Sequence, residues 1–115
     1  MTVDVCKLVV STLEDMKASD ITVLDVSKIT SITDNMIIAT GRSSRHVKSL
    51  ADKTIEAAKE NGAEIIGSEG YQQGEWILVD LGNVVVHVMQ PTIREYYQLE
   101  KLWAQNTSDT KAAEN

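Results

Sequence analysis

The stretch Trp76–Gln90, WILVDLGNVVVHVMQ, leaves this chain few choices of fold. Two runs of alternating residues flank Gly82-Asn83, and glycine supplies the positive φ that a two-residue primed turn demands. Folding about that turn sets Leu81 opposite Val84, Val79 opposite Val86 and Ile77 opposite Val88. All six side chains are aliphatic and share one face, so that face belongs to a core. The other face carries Trp76, Leu78, Asp80, Val85, His87 and Met89, and is neither plainly core nor plainly solvent. Two readings fit it. It is a partner-binding face, where an indole provides large contact area at low entropic cost, or it is a sheet face covered by a helix. Periodicity alone does not choose between them.

Beyond the hairpin, Gln90-Pro91 ends the sheet, because proline donates no ladder hydrogen bond. Thr92 and Glu95 have capping-box spacing and predict a helix start. Along that helix Tyr96, Leu99 and Trp103 fall on one side, with Tyr97, Glu100 and Lys101 elsewhere. Tyr96 and Tyr97 point about 100° apart, so at least one aromatic is expected to stay exposed near Trp76.

Upstream, Val5/Cys6, Val9/Val10, Leu13 and Met16 recur at helical spacing. Asp20–Val26 reads as a strand. Ser27–Asp34 is a Ser/Thr-rich connection, and Met36–Thr40 is nearly continuous apolar sequence, expected to be a central strand buried on both faces. After Gly41, Ser43 or Ser44 can cap a helix whose inner stripe is Val47, Leu50, Ala51, Thr54, Ile55 and Ala58. Asn61-Gly62 closes it, and Glu64–Gly67 reads as a short third strand. The order α-β-β-α-β-β-β-α predicts an α/β (α+β) fold: one domain with a mixed five-stranded sheet and flanking helices. The domain is expected over residues 1–103. Residues 104–115 hold no large apolar side chain and are expected to be a mobile tail.

Composition narrows the function. With 43% hydrophobic residues in 115, the chain can bury a core without staples. Cys6 is the only cysteine, so no internal disulfide or multi-thiolate metal site is available. No stretch approaches the ~20 apolar residues of a membrane span, and the N-terminus does not read as a signal peptide. The expected compartment is the cytoplasm. A net charge of −6 disfavours broad contact with a phosphate backbone and favours a basic protein partner.

Candidate chemistry is sparse. Asp25 and Asp80 stand singly in different strands, with no D-x-D cluster for metal-dependent transfer. A minimal nucleotidyl- or phosphotransferase using these two acids is the alternative reading. His87 lies diagonal to Asp80 across the hairpin, but no serine sits in a nucleophile elbow. His46 and His87 have no second ligand at a recognised metal spacing. No cofactor is expected. Arg42, Arg45, His46 and Lys48 crowd a helix start, against the helix dipole. Internal acids such as Asp34 or Asp52, or a bound anion, are expected to offset them, which leaves Arg42, Arg45 and Lys48 as possible auxiliary anion contacts.

Three stretches resemble the ribosomal silencing factor family, also called Iojap-related proteins: Ser31–Asp52 (SITDNMIIATGRSSRHVKSLAD), Trp76–Gln90, and Tyr97–Trp103 (YQLEKLW). Their order and spacing are more specific than any one motif. The resemblance implies a nucleotidyltransferase-like core without catalytic acids, and no enzymatic activity. It implies binding to protein fourteen of the large ribosomal subunit, where the small subunit docks. A factor bound there blocks subunit joining and represses translation when nutrients are short. It also implies a contact surface at Trp76, Tyr97, Leu99, Glu100 and Lys101, with Asp80 and His87 beside it, and a possible homodimer.

Overall fold

The computed structural model describes residues 4–99 and 101. Its elements are helix α1 (Val5–Asp15), strands β1 (Ser19–Asp25) and β2 (Asn35–Thr40), helix α2 (Ser44–Glu60), strands β3 (Gly67–Glu69), β4 (Trp76–Asp80) and β5 (Val84–Met89), and helix α3 (Pro91–Tyr97). The hairpin forms in the register that its alternation requires. Ile77 lies opposite Val88 and Val79 opposite Val86, with Gly82 in the turn at φ 86°. The five strands form one sheet in the order β1-β2-β5-β4-β3. Only β2 and β5 pair in parallel, and every other pair is antiparallel. The sheet is therefore mixed.

One face of the sheet carries Ile37, Ala39, Val84, Val86, Val88, Ile77 and Val79. α1 and α2 cover it with Val9, Leu13, Val47, Leu50, Ala51 and Ala58, and all of these are buried. The expected inner stripe of α2 is thus realised. Asp4 caps α1 by accepting from Lys7 N–H, and Ser43 caps α2 by accepting from His46 N–H. The opposite face holds a smaller cluster, Val26, Met36, Ile38 and Met89. Leu24, Trp76, Ile93 and Leu99 pack against it.

Three local expectations are corrected. The third strand is Gly67–Glu69 rather than Glu64–Gly67. Ile66 N–H already bonds Asp80 O at 2.8 Å, and residue-for-residue pairing begins with Gly67 opposite Asp80. The Thr92/Glu95 capping box is not used. Pro91 takes the first helical position, where its missing N–H costs nothing, so Gln90 becomes the N-cap without a side-chain bond. The closing helix does not run on with one phase. It stops at Tyr97 because Gln98 adopts φ 49°, ψ 50°, and helical backbone resumes at Leu99. Tyr96 and Leu99 therefore part company: Tyr96 is 80% exposed and Leu99 turns to the sheet. The expectations for Trp103 and for a mobile 104–115 tail lie outside the described residues. The α2 crossover joins β2 to β3, which run in the same direction with β5 and β4 between them.

Candidate docking site

Among the described residues the second sheet face is only partly covered, and the uncovered part is where the aromatic residues meet. Trp76 starts β4 and lies across from Met89, and His87 lies across from Leu78. By strand alternation Trp76, Leu78 and His87 share this face. The indole Nε1–H donates to His87 Nδ1 at 2.9 Å, with the two rings 5.8 Å apart. α3 brings Tyr97 over the indole, centroid to centroid 4.9 Å at 50°. Tyr96 then stacks edge-on against Tyr97, also at 4.9 Å. Tyr97 remains 51% exposed and Trp76 is half-buried.

Ring contacts at this spacing fix geometry more than they add stability, about 0.5–1.5 kcal/mol each. The result is a stiff aromatic ridge beside a shallow pocket. That pocket is lined by Glu69, Gly70, Trp76, Leu78 and His87. Glycine is required in its wall. Gly70 sits at φ +99°, and a Cβ there would lie 2.0 Å from the Trp76 carbonyl oxygen.

Burial pushes the His87 imidazolium down to about 4 from its ordinary 6.5. The folded chain therefore holds the neutral ring, with Nδ1 as acceptor. Above pH 6.5 the ring is neutral whether folded or unfolded. Below it the unfolded chain takes up a proton that the folded chain refuses, so stability is lost as pH falls toward 4. The expected loss is about 3 kcal/mol. It should appear in denaturant midpoints of the parent chain and be absent as a step in His87→Phe.

The remaining expected site residues distribute unevenly. Leu99 packs behind Trp76 and Lys101 is exposed. Glu100 lies outside the described residues. Asp80 sits at the far end of β4, about 13 Å along the strand from Trp76. Its carboxylate accepts from Gly82 N–H at 2.9 Å, so it braces the turn and does not orient His87. Asp25 accepts from both N–H and Oγ–H of Ser27, which with Lys28 holds its carboxyl below the usual range. Asp25 pairs with Asn35 and Asp80 with Val85. Alternation puts the two acids on opposite faces with two strands between them. The chain does not bring them together for transfer chemistry. No group of three or more potential metal ligands converges among the described residues.

The basic α2 start is also organised differently from expectation. Arg42 N–H donates to His46 Nδ1 at 3.0 Å. His46 Nε2 therefore carries the proton and bonds Met16 O at 2.8 Å. His46 ties α1 to α2. Asp34 cannot offset Arg42, because it precedes β2 while Arg42 follows it, roughly 20 Å away along the strand. Asp52 faces Tyr71 and, after burial, raises the tyrosine's pKa. Among the described residues the one ion pair is Lys53–Glu56. Arg42 and Arg45 stay exposed, and Lys48 is half-buried.

Arg94 is a structural residue that the sequence pattern does not single out. It is only 9% exposed, and its guanidinium donates to Asp20 O, to Thr40 Oγ1 at 2.8 Å and to Thr22 Oγ1 at 2.9 Å. It pins α3 across β1 and β2. The available signal was a cation three residues before Tyr97, on the same helical side.

A family model described as "Ribosomal silencing factor during starvation" matches residues 2–115. The chain is 53% identical over 100 residues to Ribosomal silencing factor RsfS of Chromobacterium violaceum, covering 87% of this chain and 82% of that protein. It is 51% identical over 98 residues to the factor of the same name from Haemophilus influenzae, covering 85% and 96%. A crystal structure of a Chromobacterium violaceum protein superposes with a TM-score of 0.86 at 52% identity, covering 88% of this chain and 84% of that one.

Proposed function

Because this chain belongs to the ribosomal silencing factor family, we propose that it silences ribosomes by docking on protein fourteen of the large subunit and keeping the small subunit away. The observation that supports this reading most is the aromatic ridge of Trp76, His87 and Tyr97 on an incompletely covered sheet face. A rigid, half-open indole and phenol pair is the usual composition of a binding hot spot. The reading assigns Trp76 and Tyr97 as anchors and Leu99 as the packing behind them. Glu100, Lys101 and Asp80 are assigned to the rim. An acidic chain of net charge −6 suits a basic ribosomal protein.

The action is steric and needs no catalysis. Repression would follow nutrient limitation, and the site of action would be the cytoplasm. The described residues contain no helix long and apolar enough to cross a membrane. Arg42, Arg45 and Lys48 are proposed as auxiliary anion contacts. The Lys48 stem runs past Gly74, where a Cβ would lie 2.9 Å from Lys48 Cε. The basic edge thus adjoins the start of β4. A homodimer remains part of the proposal.

The test is a subunit-joining assay. Adding the chain to dissociated subunits is expected to reduce formation of joined ribosomes, with the chain co-sedimenting on the large subunit. Undiminished joining with the chain bound would sink the steric mechanism.

A further inference from the structure

The indole nitrogen is a donor only, so the Trp76–His87 bond of 2.9 Å makes Nδ1 the acceptor and leaves the proton on Nε2. That Nε2–H has no acceptor among the described residues. Nor is the ring sealed, since His87 lines an open pocket. The opening that His87 lines is the pocket with Trp76, Leu78, Gly70 and Glu69, of about 190 Å³. His87 is otherwise buried, with 9% of its surface exposed. A donor held at the mouth of an apolar pocket is poorly hydrated, and an acceptor brought to it displaces little water.

We propose that His87 is a polar hook, whose Nε2–H takes a backbone carbonyl oxygen from a basic loop of the partner protein, with that loop's lysine or arginine stem on Trp76 and Leu78 and its cation at Glu69. This deepens the docking reading and rests on it. The pocket is smaller than the ~300 Å³ at which small-molecule sites begin, so it fits part of a polypeptide better than a metabolite. A carboxylate acceptor is disfavoured by Glu69 on the rim and by the net charge of −6. A neutral carbonyl meets neither objection. The neutral state of His87 at ordinary pH keeps the hook a single donor with fixed direction. An aliphatic stem ending in a cation matches the pocket's order: apolar wall first, carboxylate at the edge.

The test uses the full chain and dissociated large subunits. Asparagine places its amide oxygen near the Nδ1 position but has nothing at Nε2, and glutamine reaches the Nε2 position. His87→Asn is expected to keep the Trp76 indole N–H resonance in place, yet to bind about tenfold more weakly. His87→Gln is expected to stay within about threefold of the parent. Glu69→Lys, on the exposed rim, is expected to weaken binding by about tenfold and most at low salt. Parent-like binding by either His87→Asn or Glu69→Lys overturns the hook. If Trp76→Ala also binds like the parent, the docking face itself is wrong, and the two failures are told apart.

Discussion

Replacing Trp76 and Tyr97 together with alanine is expected to weaken binding to isolated large subunits by about 4 kcal/mol, nearly three orders of magnitude. Each ring offers apolar area on a face that the described residues do not close, and each is held in place by the other at 4.9 Å. Truncating Tyr97 removes the more exposed ring and leaves Trp76 with His87. Truncating Trp76 removes the indole and also frees His87 Nδ1. The single changes are therefore expected to couple, so their effects should not sum to that of the pair. Trp76 also packs on the Met36–Met89 cluster, and its loss should lower stability as well. Binding must be compared at a temperature where a denaturation curve shows the variant folded. A folded double variant with parent affinity would leave the proposed anchors without a role.

Arg94→Ala is expected to destabilise the fold by about 4 kcal/mol, read from the denaturant midpoint. Bonds to a charged donor contribute about 1.5–3 kcal/mol each, less than additively. Alanine leaves Asp20 O and the Thr22 and Thr40 hydroxyls without this donor on the covered side of α3. Arg94→Lys should recover only a small part, because one ammonium cannot reproduce a fork that spans β1 and β2. The same change should weaken ribosome binding indirectly. α3 has seven residues, too few to hold itself together in water, and Tyr97 depends on Arg94 to be placed over Trp76. A variant with parent stability would show that the guanidinium's bonds are replaceable by water.

Much of the architecture was legible because it follows from short-range rules. The six aliphatic residues flanking Gly82-Asn83 specify a hairpin, and the structure has that register. The stripe from Val47 to Ala58 specifies a helix with one buried side. The misses share a cause. Thr92 and Glu95 have the spacing of a capping box, but Pro91 is the better first residue and moves the N-cap two positions back, from Thr92 to Gln90. The break at Gln98 has no strong local signal, since glutamine rarely adopts a left-handed backbone. It is set by what Tyr97 and Leu99 each pack against. Internal acids were expected at the α2 start. A second role for His46, joining Arg42 N–H to Met16 O, took that place.

By itself, then, the sequence determined the elements, the faces of the hairpin and, through ordered motifs, the family. Periodicity and turn chemistry act between neighbours, and neighbours are what a sequence displays. Only the tertiary structure decided which polar atoms are spent and which are left over. His87 and Asp80 look alike on the hairpin, but one holds an indole and the other braces a turn. Arg94 reads as a surface cation until β1 and β2 supply its acceptors from residues more than fifty positions away. Hydrogen bonds are satisfied in space, and that pairing is settled only when the sheet has closed.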